Sequence, residues 1–153
     1  MKKIFFIMPN LGGGGGVRII SIILNNLDRT LYESNLIIIK NNGSNAFVKN
    51  LKPDVKVHYL RVNNRIRISF LYVLYKLLKL CRKHHPNILF FGSGQINVLF
   101  SPFLFIFPKK IKLIARESNI PSQFEKHRLA KLLYRFTYKN YDKIIVQSDD
   151  MYN

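Results

Sequence analysis

Two short stretches hold most of the chemistry this sequence could do. The first is a run of five glycines, Gly12–Gly16, between an apolar run ending at Met8 and a helix-like segment beginning at Val17. Backbone without side chains lets amide groups approach a phosphate closely, and a helix starting there adds a favourable partial charge. A β–α turn that binds nothing is the other reading of the same residues. The second stretch is Arg116-Glu117, a cation beside one of only 8 acidic residues, at the end of an apolar run. Glu117 could sit by a transferred group or acceptor hydroxyl, or it could pair with Arg116 and only order the loop.

The nucleotide fingerprints are met incompletely. A Walker loop needs Gly-Lys followed by Ser or Thr, whereas Gly16 is followed by Val17 and Arg18. The dinucleotide pattern Gly-x-Gly-x-x-Gly is satisfied at Gly12 and Gly14 and then meets Val17. The next apolar run ends on Lys40, where a ribose-binding acid would be needed. Nicotinamide chemistry is therefore disfavoured.

The other reactive side chains have plainer readings. His84 and His85 end a helical segment, where positive charge suits the helix dipole. Cys81, the one cysteine, cannot form an internal disulfide and lies on an apolar face, and no zinc ligand set is present. That cysteine usage fits a reducing, cytosolic compartment. Ser148 reads as the N-cap of a helix starting at Asp149.

The elements that must position these residues alternate along the chain. Strands are expected at 3–8, 35–40, 55–60, 88–91, 111–115 and 143–146. Helices are expected at 17–27, 68–83 and 124–138, with a buried, proline-interrupted helix at 95–107. In the 68–83 helix, Phe70, Leu71, Leu74, Leu77, Leu78 and Cys81 share one face; Lys76, Lys79, Arg82 and Lys83 share the other. Continuous apolar strands alternating with helices indicate a doubly wound α/β fold, a mostly parallel sheet of about six strands covered on both faces. Ligands of such sheets bind beyond the carboxyl ends of the strands. That rule selects the loops 9–16, 92–95 and 116–123.

Composition bounds the partners. The 153 residues include 25 basic and 8 acidic ones, a formal charge of +17, which draws in polyanions. Nucleic acid has charge alone in its favour, since base-stacking platforms, a helix-turn-helix and a zinc motif are all lacking. An anionic membrane surface is the better match. The 68–83 helix, the basic face of 124–138 (Arg128, Lys131, Arg135) and Lys109, Lys110 and Lys112 add to one sign, and each well-placed basic residue contributes about 1 kcal/mol of attraction. The apolar runs at 4–8 and 98–107 are too short for a signal segment or a membrane span.

The string "MPNLGGGGGVRIISIILNNLD" resembles the start of family 4 retaining glycosyltransferases, of the GT-B type with two Rossmann-like domains. Against their Leu-x-x-Gly-Gly-Ala-Glu-Arg loop, Leu11, Gly14, Gly15 and Arg18 match, with Gly16 for alanine and Val17 for glutamate. "LYESNLIIIK", "HPNILFFGSGQIN", "KIKLIARESNIPS" and "YKNYDKIIVQSDDM" resemble later family segments in the same order. The resemblance implies that residues 1–153 form the N-terminal, acceptor-side domain, with the donor-binding domain outside them. Gly14, Gly15, Gly16 and Arg18 would face the donor phosphate across the interdomain cleft. Arg116 and Glu117 would face the sugar and acceptor in a catalytic role, and Gly92, Ser93, Gly94, Ser118 and Asn119 would line the acceptor cleft.

The reaction implied for the complete enzyme is transfer of a sugar, with retention, from a nucleotide-sugar to a lipid-linked or polysaccharide acceptor. It uses no metal or other cofactor, and the chain alone is expected to be inactive. A cytoplasmic place, peripheral on the inner face of the membrane, accords with both charge and resemblance. The rival expectation is a non-catalytic or split-subunit half that docks on the membrane and pairs with a separate donor-binding chain.

Overall fold

The computed structural model describes residues 1–40, 46–63, 65–117 and 138–147. Six strands are present among them: β1 (Lys2–Met8), β2 (Tyr32–Lys40), β3 (Lys56–Val62), β4 (Ile88–Phe91), β5 (Lys112–Arg116) and β6 (Lys143–Ile145). Every neighbouring pair is parallel, in the order β3-β2-β1-β4-β5-β6. The fold is the doubly wound, Rossmann-like α/β arrangement expected from the apolar runs. β1 lies at its centre, and the strand order reverses between β1 and β4.

Among the described residues three helices cover the sheet: α1 (Gly15–Asn26), α2 (Phe70–His84) and α3 (Gly94–Phe100). Alternate residues of the central strands point to opposite faces, so two cores form. On one face Ile4, Phe6, Met8, Leu36 and Ile38 pack with Ile20 and Leu24 of α1. On the other, Phe5, Ile7, Ile37 and Phe91 pack with Val73, Leu74 and Leu77 of α2 and Phe100 of α3. Burial on both sides explains why the strands read as unbroken apolar runs rather than alternating ones.

Helix α2 stops where the sequence indicates. His85 takes a left-handed conformation, φ 48°, its N–H donates to the Cys81 carbonyl at 2.9 Å, and Pro86 follows. Two expectations for this helix need correction. Leu71 is 75% exposed, and Val73 takes its place in the core. At about 100° per residue the buried stripe runs through positions 70, 73, 74, 77 and 81, which turns Leu71 outward. The dipole partner at the helix end is Lys3, whose Nζ donates to the His84 carbonyl at 2.7 Å. The His84 imidazole is itself shifted below its ordinary pKa by burial and by Lys83 and Lys3, and so favours its neutral form.

The 95–107 segment is interrupted at its proline, as expected. α3 gives way to a 3-10 turn, Ser101–Ile106, with Pro102 in its first turn. Its second half is not buried throughout, because Phe105 is 81% exposed and Ile106 41%. The helix expected at 124–138, apart from Tyr138, and the cap at Ser148 lie outside the described residues. Tyr138 begins a short 3-10 turn that leads into β6.

Candidate functional site

The glycine run leaves β1 at the point where the strand order reverses, which is where open α/β sheets form their crevices. Asn10 starts the turn by accepting the Gly12 N–H at 3.3 Å. Gly14 is the N-cap of α1 with φ 101° and ψ 159°, a conformation open essentially to glycine alone. Among the described residues, a Cβ at Gly13, Gly14 or Gly15 would meet no atom within 4 Å beyond its own chain neighbours. Crowding by the described residues therefore does not demand these glycines. Beside them lies a pocket of about 160 Å³ lined by Asn10, Gly13, Gly16, Gly92 and Ser93 among others.

Against Gly16 lies the side chain that most needs an explanation. Arg116, the last residue of β5, is 3% exposed. An added Cβ on Gly16 would be 3.5 Å from its Nη1. Neither Nη1 nor Nη2 has a hydrogen-bond partner among the described residues. Burial lowers the pKa of this guanidinium, and the neighbouring Glu117 charge opposes that shift. A guanidinium stays protonated at neutral pH despite such a shift, so a cation with unmet donors lies beside the N-terminus of α1. Both features attract an anion.

Glu117 is held differently. It is 5% exposed, and its Oε2 accepts from Asn97 Nδ2 at 3.1 Å and from the Tyr138 hydroxyl. The same Asn97 amide donates to the Arg116 carbonyl at 2.9 Å, and the Tyr141 hydroxyl donates to the Asn97 carbonyl at 2.8 Å. Gly94, the first residue of α3, makes room for the carboxylate, since a Cβ there would overlap Glu117 Oε1. Asn97 Oδ1 is buried and has no partner among the described residues. The outcome is a carboxylate fixed by two donors beside an unsatisfied cation, at the carboxyl end of the sheet.

The structure thus brings together Gly16, Gly94, Arg116 and Glu117, with Gly92 and Ser93 lining the same region. Arg18 does not join them: its side chain is exposed on the first turn of α1 and does not line the glycine pocket. Ser118 and Asn119 lie outside the described residues. Asn97, Tyr138 and Tyr141 were not foreseen. Asn97 alone left a usable trace, as the one amide inside the apolar run "INVLF". A buried polar side chain in such a run needs a partner, and its partner is the 116–117 segment.

The chain matches no protein-family model and no curated protein. Among the described residues, no group of three or more His, Cys, Asp or Glu is arranged to hold a metal ion. No helix among them is long and apolar enough to cross a membrane.

Proposed function

We propose that this chain supplies the acceptor-side half of a retaining glycosyltransferase of the GT-B type, similar to family 4. A nucleotide-sugar is the donor, bound by a second Rossmann-like unit, and the acceptor is lipid-linked or a polysaccharide. The observation that carries this reading is the Arg116 guanidinium, buried against Gly16 with both terminal nitrogens unsatisfied among the described residues. A donor phosphate entering over the α1 N-terminus would supply the acceptors that Arg116 lacks. Glu117, oriented by Asn97 and Tyr138, would meet the transferred sugar or the acceptor hydroxyl.

Docking on an anionic membrane belongs to this reading, and it is also the rival role, in which the chain only docks and pairs with a separate donor-binding chain. The turn before α2 and the first turns of the helix favour it. Ile68 and Leu71 are each 75% exposed and Tyr75 60% exposed, with Lys76 and Lys79 following on the same helix. Such a face suits the lipid interface on the cytoplasmic side.

The test is donor consumption with the 153-residue chain, alone and with a donor-binding half supplied. Alone, the chain should leave the nucleotide-sugar intact. With the second half, transfer should appear, and Glu117→Gln should cut it by about 100-fold. Robust transfer by the chain alone, or full activity in the Glu117→Gln enzyme, would sink the proposal. Loss of transfer in the Glu117→Gln enzyme rules out the docking-only role, which gives Glu117 no part in transfer.

A further inference from the structure

A second cleft opens on the other side of Pro9 and Asn10, the two residues it shares with the glycine pocket. Its volume is about 390 Å³, within the range of small-molecule sites. Three cations from two parts of the chain line it: Lys40 at the end of β2, and Arg65 and Arg67 between β3 and α2. Asn10 and Gln95 add amides, Ile96 and Leu99 add an apolar wall, and no carboxylate of the described residues lines the cleft.

The backbone that carries these cations is held in place by the fold. The Lys40 N–H donates to the Pro9 carbonyl at 2.8 Å, which ties the end of β2 to the cleft wall. The Arg65 carbonyl accepts from Ile68 and Ser69 at 3.0 and 3.2 Å, so the two arginines sit on a closed turn leading into α2. Ile66 between them packs on the core while Arg65 and Arg67 stay exposed. The ion pairs among the described residues are Lys3–Glu33, Lys56–Glu33, Arg29–Asp54 and Lys112–Asp142, and none involves these three cations. Like charges brought to one concave site without a counter-ion repel each other, and an anion reverses that balance. Two guanidinium groups and an ammonium with amides nearby suit a phosphoryl group, which offers several acceptor oxygens and about two negative charges.

We propose that this cleft binds a phosphoryl group carried by the acceptor, so that the acceptor is a phosphate ester whose remaining portion reaches past Asn10 toward the glycine pocket and Glu117. The word acceptor rests on the glycosyltransferase reading, whereas the phosphate site stands on the cleft itself. Pro9 and Asn10 form the wall common to both clefts, so one ligand can occupy the two together. The exposed apolar residues that lead into α2 begin at Ile68, directly after Arg67. A phosphate with a lipid tail and a soluble phosphate ester would therefore use the same cations.

Calorimetric titration of the chain with glucose 1-phosphate at physiological salt tests this, with glucose as the neutral match. Saturable binding of the ester and none of glucose is expected. Arg65→Gln with Arg67→Gln should weaken it by about ten-fold or more. Lys2→Gln with Lys52→Gln removes the same charge at exposed positions elsewhere on the surface and should change it less than two-fold. Arg65 and Arg67 are exposed, and unchanged thermal unfolding verifies that the variant is folded. Flotation with phosphatidylcholine vesicles, with and without phosphatidic acid, identifies the source of the phosphate. Retention on phosphatidic acid that the Arg65/Arg67 pair abolishes, without glucose 1-phosphate binding, places the group on a lipid and upholds the site.

Equal losses from both double variants would overturn the proposal in favour of a diffuse field. Binding of neither probe would overturn it as well. If Arg116→Gln abolishes ester binding while the Arg65/Arg67 pair leaves it intact, the phosphate belongs in the glycine pocket. This assignment then fails while the proposed function stands. Failure of donor consumption, by contrast, leaves the ester-binding result untouched.

Discussion

At the amino ends of the strands, cations and carboxylates meet. Glu33 accepts from Lys56 at 2.9 Å and lies 3.8 Å from Lys3, Arg29 pairs with Asp54, and Lys112 lies 3.4 Å from Asp142. At the carboxyl ends, Lys40, Arg65 and Arg67 take part in no ion pair among the described residues, and Arg116 is buried with two nitrogens unsatisfied. Glu117, the carboxylate next to Arg116 in the chain, is engaged by Asn97 and Tyr138. One chain carries both arrangements. Selection for stability alone would treat the two edges alike, because a buried donor without a partner costs about 1–3 kcal/mol. The carboxyl edge leaves these cations without ion pairs among the described residues, and such a cost is sustained where a ligand supplies the missing partner.

Substitutions at the two edges should separate structure from function. The largest loss of stability is expected at Gly94→Ala. Its Cβ must displace the Glu117 carboxylate or the start of α3, at about 1–3 kcal/mol in urea unfolding. A negligible loss would mean that Glu117 swings aside freely and is not held. Next comes Arg29→Met at the amino edge. Arg29 donates to Asp54, to Ser34 Oγ at 2.9 Å and to the Leu24 carbonyl at 2.6 Å. Its removal should destabilise by about 1–2 kcal/mol, and a stabilised variant would erase the contrast between the edges.

The smallest effect is the pH dependence of the amino edge. Glu33 is held below its ordinary carboxylate pKa by the Lys56 hydrogen bond foremost, with Asn35 and the Lys3 charge adding to it. Its contribution is present above the unfolded pKa and is lost as pH falls through the lower folded value. His58 and His84, with rings 5.4 Å apart, are both shifted below 6.5, chiefly by burial. Below 6.5 the unfolded chain binds these protons first, so stability declines as pH falls from 6.5 through the folded values. Urea midpoints measured between pH 7 and 4 should fall steadily toward acid. His58→Gln should flatten the upper part of that fall, and an unchanged profile would argue against the His pair.

Much of the fold could be read in advance because its signals are local. The apolar runs at β1, β2 and β4 exceed what a half-buried strand requires, and turn residues or proline bound the helices between them. Leu71 misled because leucine type and the rotational position at 70–81 point in different directions, and position governs burial. The site was legible only where chemistry and locality coincide, at the glycines and at Arg116-Glu117. The contact of Gly94 with Glu117, and the meeting of Lys40 with Arg65 and Arg67, are products of topology. Nothing in the local sequence shows that the ends of β2 and β3 converge on the wall at Asn10. The bond between Tyr138 and Glu117 likewise spans a separation in sequence that no periodicity reports.

If the carboxyl edge holds its cations for a ligand, it does so at the expense of the folded state. Equilibrium urea unfolding of Arg116→Met beside the unchanged chain addresses it most directly. Methionine removes two buried nitrogens that have no partner among the described residues and keeps most of the apolar volume. The variant should therefore be more stable by about 1–3 kcal/mol in the absence of ligand. A variant less stable than the parent would contradict the claim, because Arg116 would then be a structural cation whose removal the fold cannot tolerate.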